Sequence, residues 1–331
     1  MIEVGSNSEA ISRISQPLQL TTLIERIVRK IHKEEIPGKE HFEIYIRHKW
    51  RINHKPSTLT GSFEAVKNFL VVCGSLGKKQ LQEVTSDDIE AFVEYEQDRG
   101  LKVTTANTRL KSVWAFLRFL ADQGVIAESI LKRKIKLRVP DFLPRAIAPD
   151  DVRKILDAIE EPRDRALILV LLRTAMRIGE VLRLTMNDID LRERKIHIYE
   201  GEKNCIGRVV YLSEDAVMAL KLWFKKRDKR KEYVFHGFKG RMCYTSARNV
   251  FTRYLSETGL QHKGYTLHSL RHTCASELLN AGMRLECLQM MLGHHDIEMT
   301  RRYARLTDKS REEEYFNAMK IIEQGGIHGS Y

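Results

Sequence analysis

A basic stretch without hydrophobic periodicity, residues 133–148, divides this chain into two parts. It carries Pro140 and Pro144 among closely spaced lysines and arginines. Periodic apolar patterns lie on both sides of it, so the composition is typical of an interdomain linker. Because 331 residues exceed the usual size of a single hydrophobic core, we expect two domains that this linker joins.

The part before the linker reads as a succession of amphipathic helices. Apolar residues recur at helical spacing after three predicted helix starts, which are Pro56-Ser57-Thr58, Thr85 or Ser86, and Thr104 or Thr105. Residues 39–132 are therefore expected to form an all-α domain. Residues 1–38 are expected to be a leader with one helix, Leu20–Glu35.

The part after the linker, residues 149–331, combines helices with one hairpin. Pro149 restarts the helical pattern, and residues 167–172 are apolar enough for a buried helix. Two short β-type runs, at residues 196–198 and 209–212, flank a turn-like stretch at 200–204, which predicts a β-hairpin. The expected fold class is thus mainly α with a small β-sheet.

The charge balance favours a polyanionic partner. Lys+Arg 56 against Asp+Glu 44 gives +12 at pH 7, and each phosphate that a cation neutralises releases counterions. A basic protein without such a partner is the alternative. Near the start of the third helix, polar and basic side chains suit DNA contact, and a solvated face is the alternative. These candidate DNA-binding residues are Thr105, Asn107, Arg109 and Lys111.

The cysteines and the apolar runs bear on location. Five scattered cysteines without a C-x-x-C pair favour a reducing compartment over a disulfide framework. The longest apolar run is too short to span a bilayer, and the first residues lack the features of an export signal. We therefore expect a cytoplasmic protein, associated with the nucleoid if DNA is its partner.

Two segments carry residues suited to phosphate. Arg177 and Glu180 are three apart on an expected helix, so the carboxylate can orient the guanidinium. A solvated ion pair is the alternative there. Lys203 lies at the tip of the predicted hairpin, where a lysine commonly serves only solubility.

Two further segments bring histidines and a tyrosine. His268, Arg271 and His272 share a helix face, which fits phosphate better than zinc, because an arginine inside a metal site is unfavourable. His294 follows Gly293, which is expected to end a helix, and Tyr303 comes about two turns into the next helix. A half-buried core tyrosine is the alternative for Tyr303.

Together, the arginine, histidine and tyrosine segments resemble the tyrosine recombinase (phage integrase) family, with the Xer-like members nearest in appearance. The resemblance covers about residues 150–306 well and the helical part from about 39 loosely. It implies a helical core-binding domain and a catalytic domain that clamp DNA, cut it and rejoin it. It also implies four protomers on paired, specific DNA sites, linked through a C-terminal helix at 311–324, although that helix could instead pack on its own domain.

The resemblance implies a role for each matching residue. Arg177 and Arg271 would grip the phosphate that is cut, and Tyr303 would attack it to form a 3′-phosphotyrosyl bond. The remaining matches are Lys203 as the proton donor to the leaving 5′ oxygen and Glu180 as the supporting carboxylate. His268 would transfer a proton or contact the phosphate, and His294 would donate to the phosphate. The chain departs from the pattern at Ala175, where glycine is usual, at Arg305, where histidine is common, and around Lys203, which lacks its usual flanking glycines.

The same residues set the cofactor expectation and leave rival functions. No acidic cluster suited to magnesium accompanies the motif, and the Gly74–Lys79 stretch lacks the first glycine and final hydroxyl of a P-loop. Chemistry without a metal or nucleotide cofactor is therefore expected. The rivals are a non-catalytic DNA-binding regulator on the same fold and a topoisomerase-like nicking-closing enzyme.

Overall fold

The chain divides into two compact units, residues 1–141 and 142–331, each with its own hydrophobic core. The computed structural model describes residues 22–132, 135–140, 145–199, 207–238, 240–293, 297, 299–301, 315, 316 and 319. Within them, helices predominate and the strands are short, so the expected class, mainly α with a small sheet, is confirmed. No helix among these residues is long and apolar enough to cross a membrane.

The first unit is an all-α bundle. Its helices are α1 over residues 22–33, α2 (Lys39–Arg51), α3 (Pro56–Ser75), α4 (Ser86–Asp98) and α5 (Val103–Asp122). Pro56 occupies the first turn of α3, where its missing N–H costs nothing, and Thr85 with Asp88 forms the capping box that begins α4. Helix α3 packs against α2, α4 and α5 around buried phenylalanines.

Helix α1 belongs to the core of the first unit. Ile24, Ile27 and Ile31 are each at most 4% exposed and lie in the same apolar cluster as Phe42 of α2. The segment expected as a leader therefore contributes to the bundle. The isoleucines recur at spacings of three and four, which is the pattern of a helix with one buried face.

The second unit surrounds a helix whose central residues are all apolar. Its helices are α6 (Pro149–Asp157), α7 (Pro162–Thr174), α8 (Ile178–Val181), α9 (Glu214–Lys226), α10 (Tyr244–Glu257), α11 (Leu267–Asn280) and α12 (Leu285–Leu292). Every residue from Ala166 to Leu172 on α7 is at most 2% exposed, because α9 and α11 pack on it. The buried helix expected at 167–172 is confirmed.

The expected hairpin is present. Strand β2 (Lys195–Ile198) pairs antiparallel with β3 (Arg208–Tyr211), with Ile196 opposite Val210, and β1 (Ile189–Asp190) joins the other edge of β2. A second, unexpected hairpin consists of β4 (His236–Gly237) and β5 (Gly240–Arg241). The turn of the first hairpin, residues 200–206, lies outside the described residues.

Candidate active site

Three arginines converge on the C-terminal end of helix α12. Carbonyls at a helix end lack intrahelical partners and carry the negative end of the helix dipole, so they attract cationic donors. Three successive carbonyls each accept a hydrogen bond from an arginine of a different segment. The pairs are Arg208 Nε to Met291 O at 2.8 Å, Arg271 Nη2 to Leu292 O at 2.9 Å, and Arg177 Nη2 to Gly293 O at 3.3 Å.

Arg177 is held by Glu180 as the sequence predicts. It precedes α8, its backbone N–H donates to Glu180 Oε2 at 2.8 Å, and its Nη1 donates to Oε1 at 3.1 Å. The side chains of Arg177 and Glu180 are 11% and 1% exposed. The alternative of a solvated ion pair is therefore wrong.

Arg271 lies deeper than its neighbours on α11. It is 2% exposed, and it donates to the carbonyl of Ala175 through Nη1 as well as to Leu292 through Nη2. A guanidinium stays protonated even when buried, so this position keeps its charge. Helices α7 and α12 are thereby tied together through one cation.

The two histidines of α11 contact each other beside Arg271. The rings of His268 and His272 are nearly perpendicular, with centroids 4.4 Å apart, and His268 is exposed whereas His272 is half-buried. Burial, followed by the charges of His268 and Arg271, lowers the pKa of His272 to about 4. His272 is therefore neutral at pH 7, whereas His268 faces solvent.

Sequence reasoning missed Arg208 on β3. Its Nη1 and Nη2 donate to the two oxygens of Glu180 at 3.0 and 2.6 Å, and its side chain is 6% exposed. Burial raises the pKa of Glu180, but hydrogen bonding and charge from Arg208, together with Arg177, outweigh it and bring that pKa down to about 2. The only signal in the sequence is an arginine on a strand whose neighbours are apolar.

The remaining candidates of this site lie outside the described residues. These are Lys203, His294 and Tyr303. Gly293 stands directly before His294 and takes the left-handed conformation, with φ of 61°, so the expected helix end at this glycine is confirmed. Of the C-terminal segment at 311–324, Tyr315, Phe316 and Met319 are described; Tyr315 and Phe316 are exposed, and Met319 is half-buried.

The candidate DNA-binding residues of the first unit lie on two faces of α5. Successive residues rotate by about 100° around a helix, so Thr105 and Arg109 share one side while Asn107 and Lys111 share another. Arg109 donates to Glu96 at 2.6 Å, and the side chain of Glu96 is fully buried. Thr105 and Lys111 are exposed.

Ala175, where the resembled family has glycine, adopts a glycine-like conformation. It ends α7 with φ of 50° and ψ of 23°, and it is fully buried. This left-handed conformation costs an L-residue about 1–2 kcal/mol. Its carbonyl nevertheless faces Arg271, so the departure from glycine leaves the contact in place.

Ala175→Gly should leave the stability of the chain nearly unchanged. Relief of about 1–2 kcal/mol of strain is offset by about 0.8 kcal/mol for a lost buried methyl group and about 0.4–1 kcal/mol for the freer unfolded chain. Ala219→Gly, in the middle of α9 and 4% exposed, relieves no strain and should cost about 1–2 kcal/mol. Urea unfolding compares the two, and equal losses would contradict this account.

Comparison with known proteins covers both units. A model described as phage integrase family matches residues 145–310, and one described as phage integrase, N-terminal SAM-like domain matches residues 53–124. Tyrosine recombinase XerC of Corynebacterium glutamicum is 32% identical over 223 residues, which are 64% of this chain and 71% of that protein.

Two solved structures share the fold. The Tn1549 transposon integrase in complex with transposon right end DNA has a TM-score of 0.68 at 21% identity, covering 83% of this chain and 98% of that one. A lambda integrase dimer bound to a COC′ core site has a TM-score of 0.63 at 19% identity, covering 80% of this chain and 94% of that one.

Proposed function

Because this chain belongs to the phage integrase family and is a tyrosine recombinase, an enzyme that breaks and rejoins DNA, we propose that Arg177 and Arg271 bind the phosphodiester that is cut. One observation carries the proposal. The guanidiniums of Arg177, directly before α8, and Arg271 on α11 meet at the adjacent carbonyls of Leu292 and Gly293. In the chain, these carbonyls come directly before His294.

The charge of this cluster suits a phosphate. Arg177, Arg208 and Arg271 carry three positive charges against the one negative charge of Glu180, which leaves a surplus of two. Guanidiniums donate paired hydrogen bonds to non-bridging phosphate oxygens and never deprotonate. The surplus would stabilise the additional negative charge that develops when phosphorus becomes pentacoordinate.

The proposed catalytic steps use residues that come before α12 in the sequence and residues that come after it. Tyr303 attacks the phosphorus and forms a 3′-phosphotyrosyl bond, while the bond to the 5′ oxygen breaks and that oxygen takes a proton from Lys203. A free tyrosine has a pKa of about 10, so nearby cations would help it to ionise. His268 contacts the phosphate or takes the proton that Tyr303 releases, and His294 donates a hydrogen bond to the phosphate. Attack by the free 5′ hydroxyl of another strand reverses these steps and rejoins DNA.

The relatives support a proposal for the partners of the reaction. Both solved relatives were captured on DNA, and one of them as a dimer. We propose that this chain binds specific double-stranded sites, assembles as a tetramer on paired sites through residues 311–324, and works in the cytoplasm at the nucleoid. Residues 39–132, with α1 packed into the same core, would form the core-binding domain, residues 133–148 the linker, and residues 149–331 the catalytic domain.

Within the first unit, only some of the four candidate DNA-binding residues on α5 are well exposed for contact with DNA. Thr105 and Lys111 are exposed on α5 and are free to face a duplex. Arg109 is held by the buried carboxylate of Glu96, so it would reach DNA only while ion-paired. Asn107 is half-buried on the side of α5 that bears Lys111.

Two rival functions lose support here. A non-catalytic regulator would not need a buried arginine cluster with surplus charge. A topoisomerase-like enzyme would act without site specificity, whereas the named relatives are a recombinase and two integrases.

Replacing either arginine by lysine should separate binding from cleavage. Arg177→Lys and Arg271→Lys keep the charge but lose the bidentate geometry, so covalent attachment to a nicked site should slow by roughly a hundredfold to a thousandfold. Affinity for the same DNA should change little. Arg173→Lys is the matched control, because Arg173 pairs with Asp215 at 2.9 Å outside this cluster. Normal cleavage by both variants would refute the assignment.

A further inference from the structure

We infer that Arg208 is a positioning residue for DNA cleavage, acting through Glu180 to hold Arg177 while the cluster keeps a positive surplus. The inference rests on the function proposed above. Arg208 lies at the start of β3, 28 positions after Glu180 along the chain. Neither the sequence motif nor the family resemblance singles it out.

Glu180 is divided unequally between its two arginines. Arg208 occupies both carboxylate oxygens, at 3.0 and 2.6 Å, whereas the side chain of Arg177 reaches one of them at 3.1 Å. A carboxylate offers roughly four lone-pair positions, so it can serve both. Glu180 thus orients Arg177 through one contact, and its negative charge is offset chiefly by Arg208.

Without Arg208, Glu180 would act differently on Arg177. A buried carboxylate with a single guanidinium partner draws that guanidinium into a closed ion pair, in which the two charges cancel. The phosphate would then face one net charge, that of Arg271, instead of two. Loss of Arg208 should therefore reduce the stabilisation of the transition state for cleavage, in addition to any effect on the folding of the unit.

Arg208 also shapes the bend that leads to His294. Its Nε donates to the carbonyl of Met291, and a Cβ added at Gly293 would come within 3.1 Å of its Nη1. A side chain at Gly293 would therefore press on the side chain of Arg208, in addition to the strain of the positive φ at this position. One side chain therefore fastens β3, Glu180 and the end of α12 to each other.

We expect Arg208 not to contact the DNA, because its side chain is only 6% exposed. Among the described residues, Arg177, three positions before Glu180, and Arg208 on β3 donate to that carboxylate, and Arg271 of α11 donates to the adjoining carbonyl of Leu292. The inference therefore predicts a change in cleavage rate at saturating DNA and an unchanged dissociation constant. A DNA-contacting arginine would change both.

The first experiment measures the single-turnover cleavage rate at saturating DNA for Arg208→Met. We expect a loss of roughly tenfold to a hundredfold, because small displacements of a catalytic group cost about that much. Arg165→Met is the matched control, since Arg165 donates to the Leu156 carbonyl in the last turn of α6 at 2.7 Å and takes no part in the site. Arg208→Lys, which keeps the charge, should recover part of the rate.

The second experiment separates positioning from scaffolding by repeating Arg208→Met in a Glu180→Gln background. Once the carboxylate is neutral, the further loss from Arg208→Met should shrink to within about twofold. If the loss is as large as in the wild-type background, Arg208 serves only to hold α12, and the inference is overturned. The same conclusion follows if Arg208→Met cleaves at the wild-type rate.

The dependence of the cleavage rate on pH tests the inference separately, because a purely structural role of Arg208 would leave this dependence unchanged. Glu180 stays ionised across the usable range in the wild type, since its pKa is held at about 2. In Arg208→Met that pKa should rise, so Glu180 should become protonated toward acid pH and release Arg177 from the closed ion pair. The ratio of the variant's cleavage rate to the wild-type rate should therefore rise as the pH falls. A ratio that does not change with pH overturns the inference. Normal cleavage by Arg177→Lys in parallel would instead overturn the proposed site itself.

Discussion

Tyr303→Phe is expected to bind its DNA site normally and to form no covalent complex. Phenylalanine keeps the ring but lacks the oxygen that would attack phosphorus, so the chain has no other nucleophile at this position. The assay uses a DNA site with a nick near the cleavage point, which lets the short cleaved fragment diffuse away and traps the protein on DNA. A denaturant-stable adduct should appear with the wild type and not with Tyr303→Phe.

Tyr315→Phe is the matched control for this experiment. Tyr315 lies 12 positions after Tyr303 and is 59% exposed, so it is the nearest tyrosine that could substitute chemically. This variant should form the adduct as the wild type does. Adduct formation by Tyr303→Phe, or its loss in Tyr315→Phe, would assign the nucleophile elsewhere.

Lys203→Ala is expected to cleave ordinary DNA a hundredfold to ten-thousandfold more slowly, on the order of what a positioned proton donor contributes. The departing 5′ alkoxide is a very poor leaving group at neutral pH. If Lys203 supplies its proton, a substrate with sulfur at the bridging 5′ position should restore cleavage, because a thiolate leaves without protonation. The measurement is the cleavage rate of the variant on both substrates.

Arg177→Ala is the control that distinguishes loss of the proton donor from loss of charge stabilisation. Its proposed task is to stabilise charge on the non-bridging oxygens, so the sulfur substrate should not restore its activity. Rescue of Arg177→Ala together with failure to rescue Lys203→Ala would reverse the division of roles. The proton would then come from another group, with His268 as the first candidate.

Local patterns predicted most of the elements and one contact of the site. The spacing of three between Arg177 and Glu180 correctly placed their side chains together, because that relation lies within one turn. Helix starts at Pro56 and Pro149 and the hairpin around residues 196–212 also follow from local signals. The helical repeat alone also implies that four candidate DNA-binding residues lie on two faces of α5. These residues are Thr105, Asn107, Arg109 and Lys111.

The rest of the site depends on contacts between distant parts of the chain. Arg208 meets Glu180 across 28 residues and Met291 across 83, and no periodicity relates such positions. The burial of Arg271 follows from the packing of α7, α11 and α12 together. The core role of helix α1 became clear only when the partners of its isoleucines, such as Phe42, were known.

The most direct test of this account is to identify the bond between protein and DNA. The wild-type chain is trapped on a nicked site and digested, and the peptide that carries nucleotide is sequenced by mass spectrometry. The account predicts a nucleotide joined through its 3′ phosphate to Tyr303, with a free 5′ hydroxyl on the released fragment. Attachment at any other residue, or through a 5′ phosphate, would contradict it.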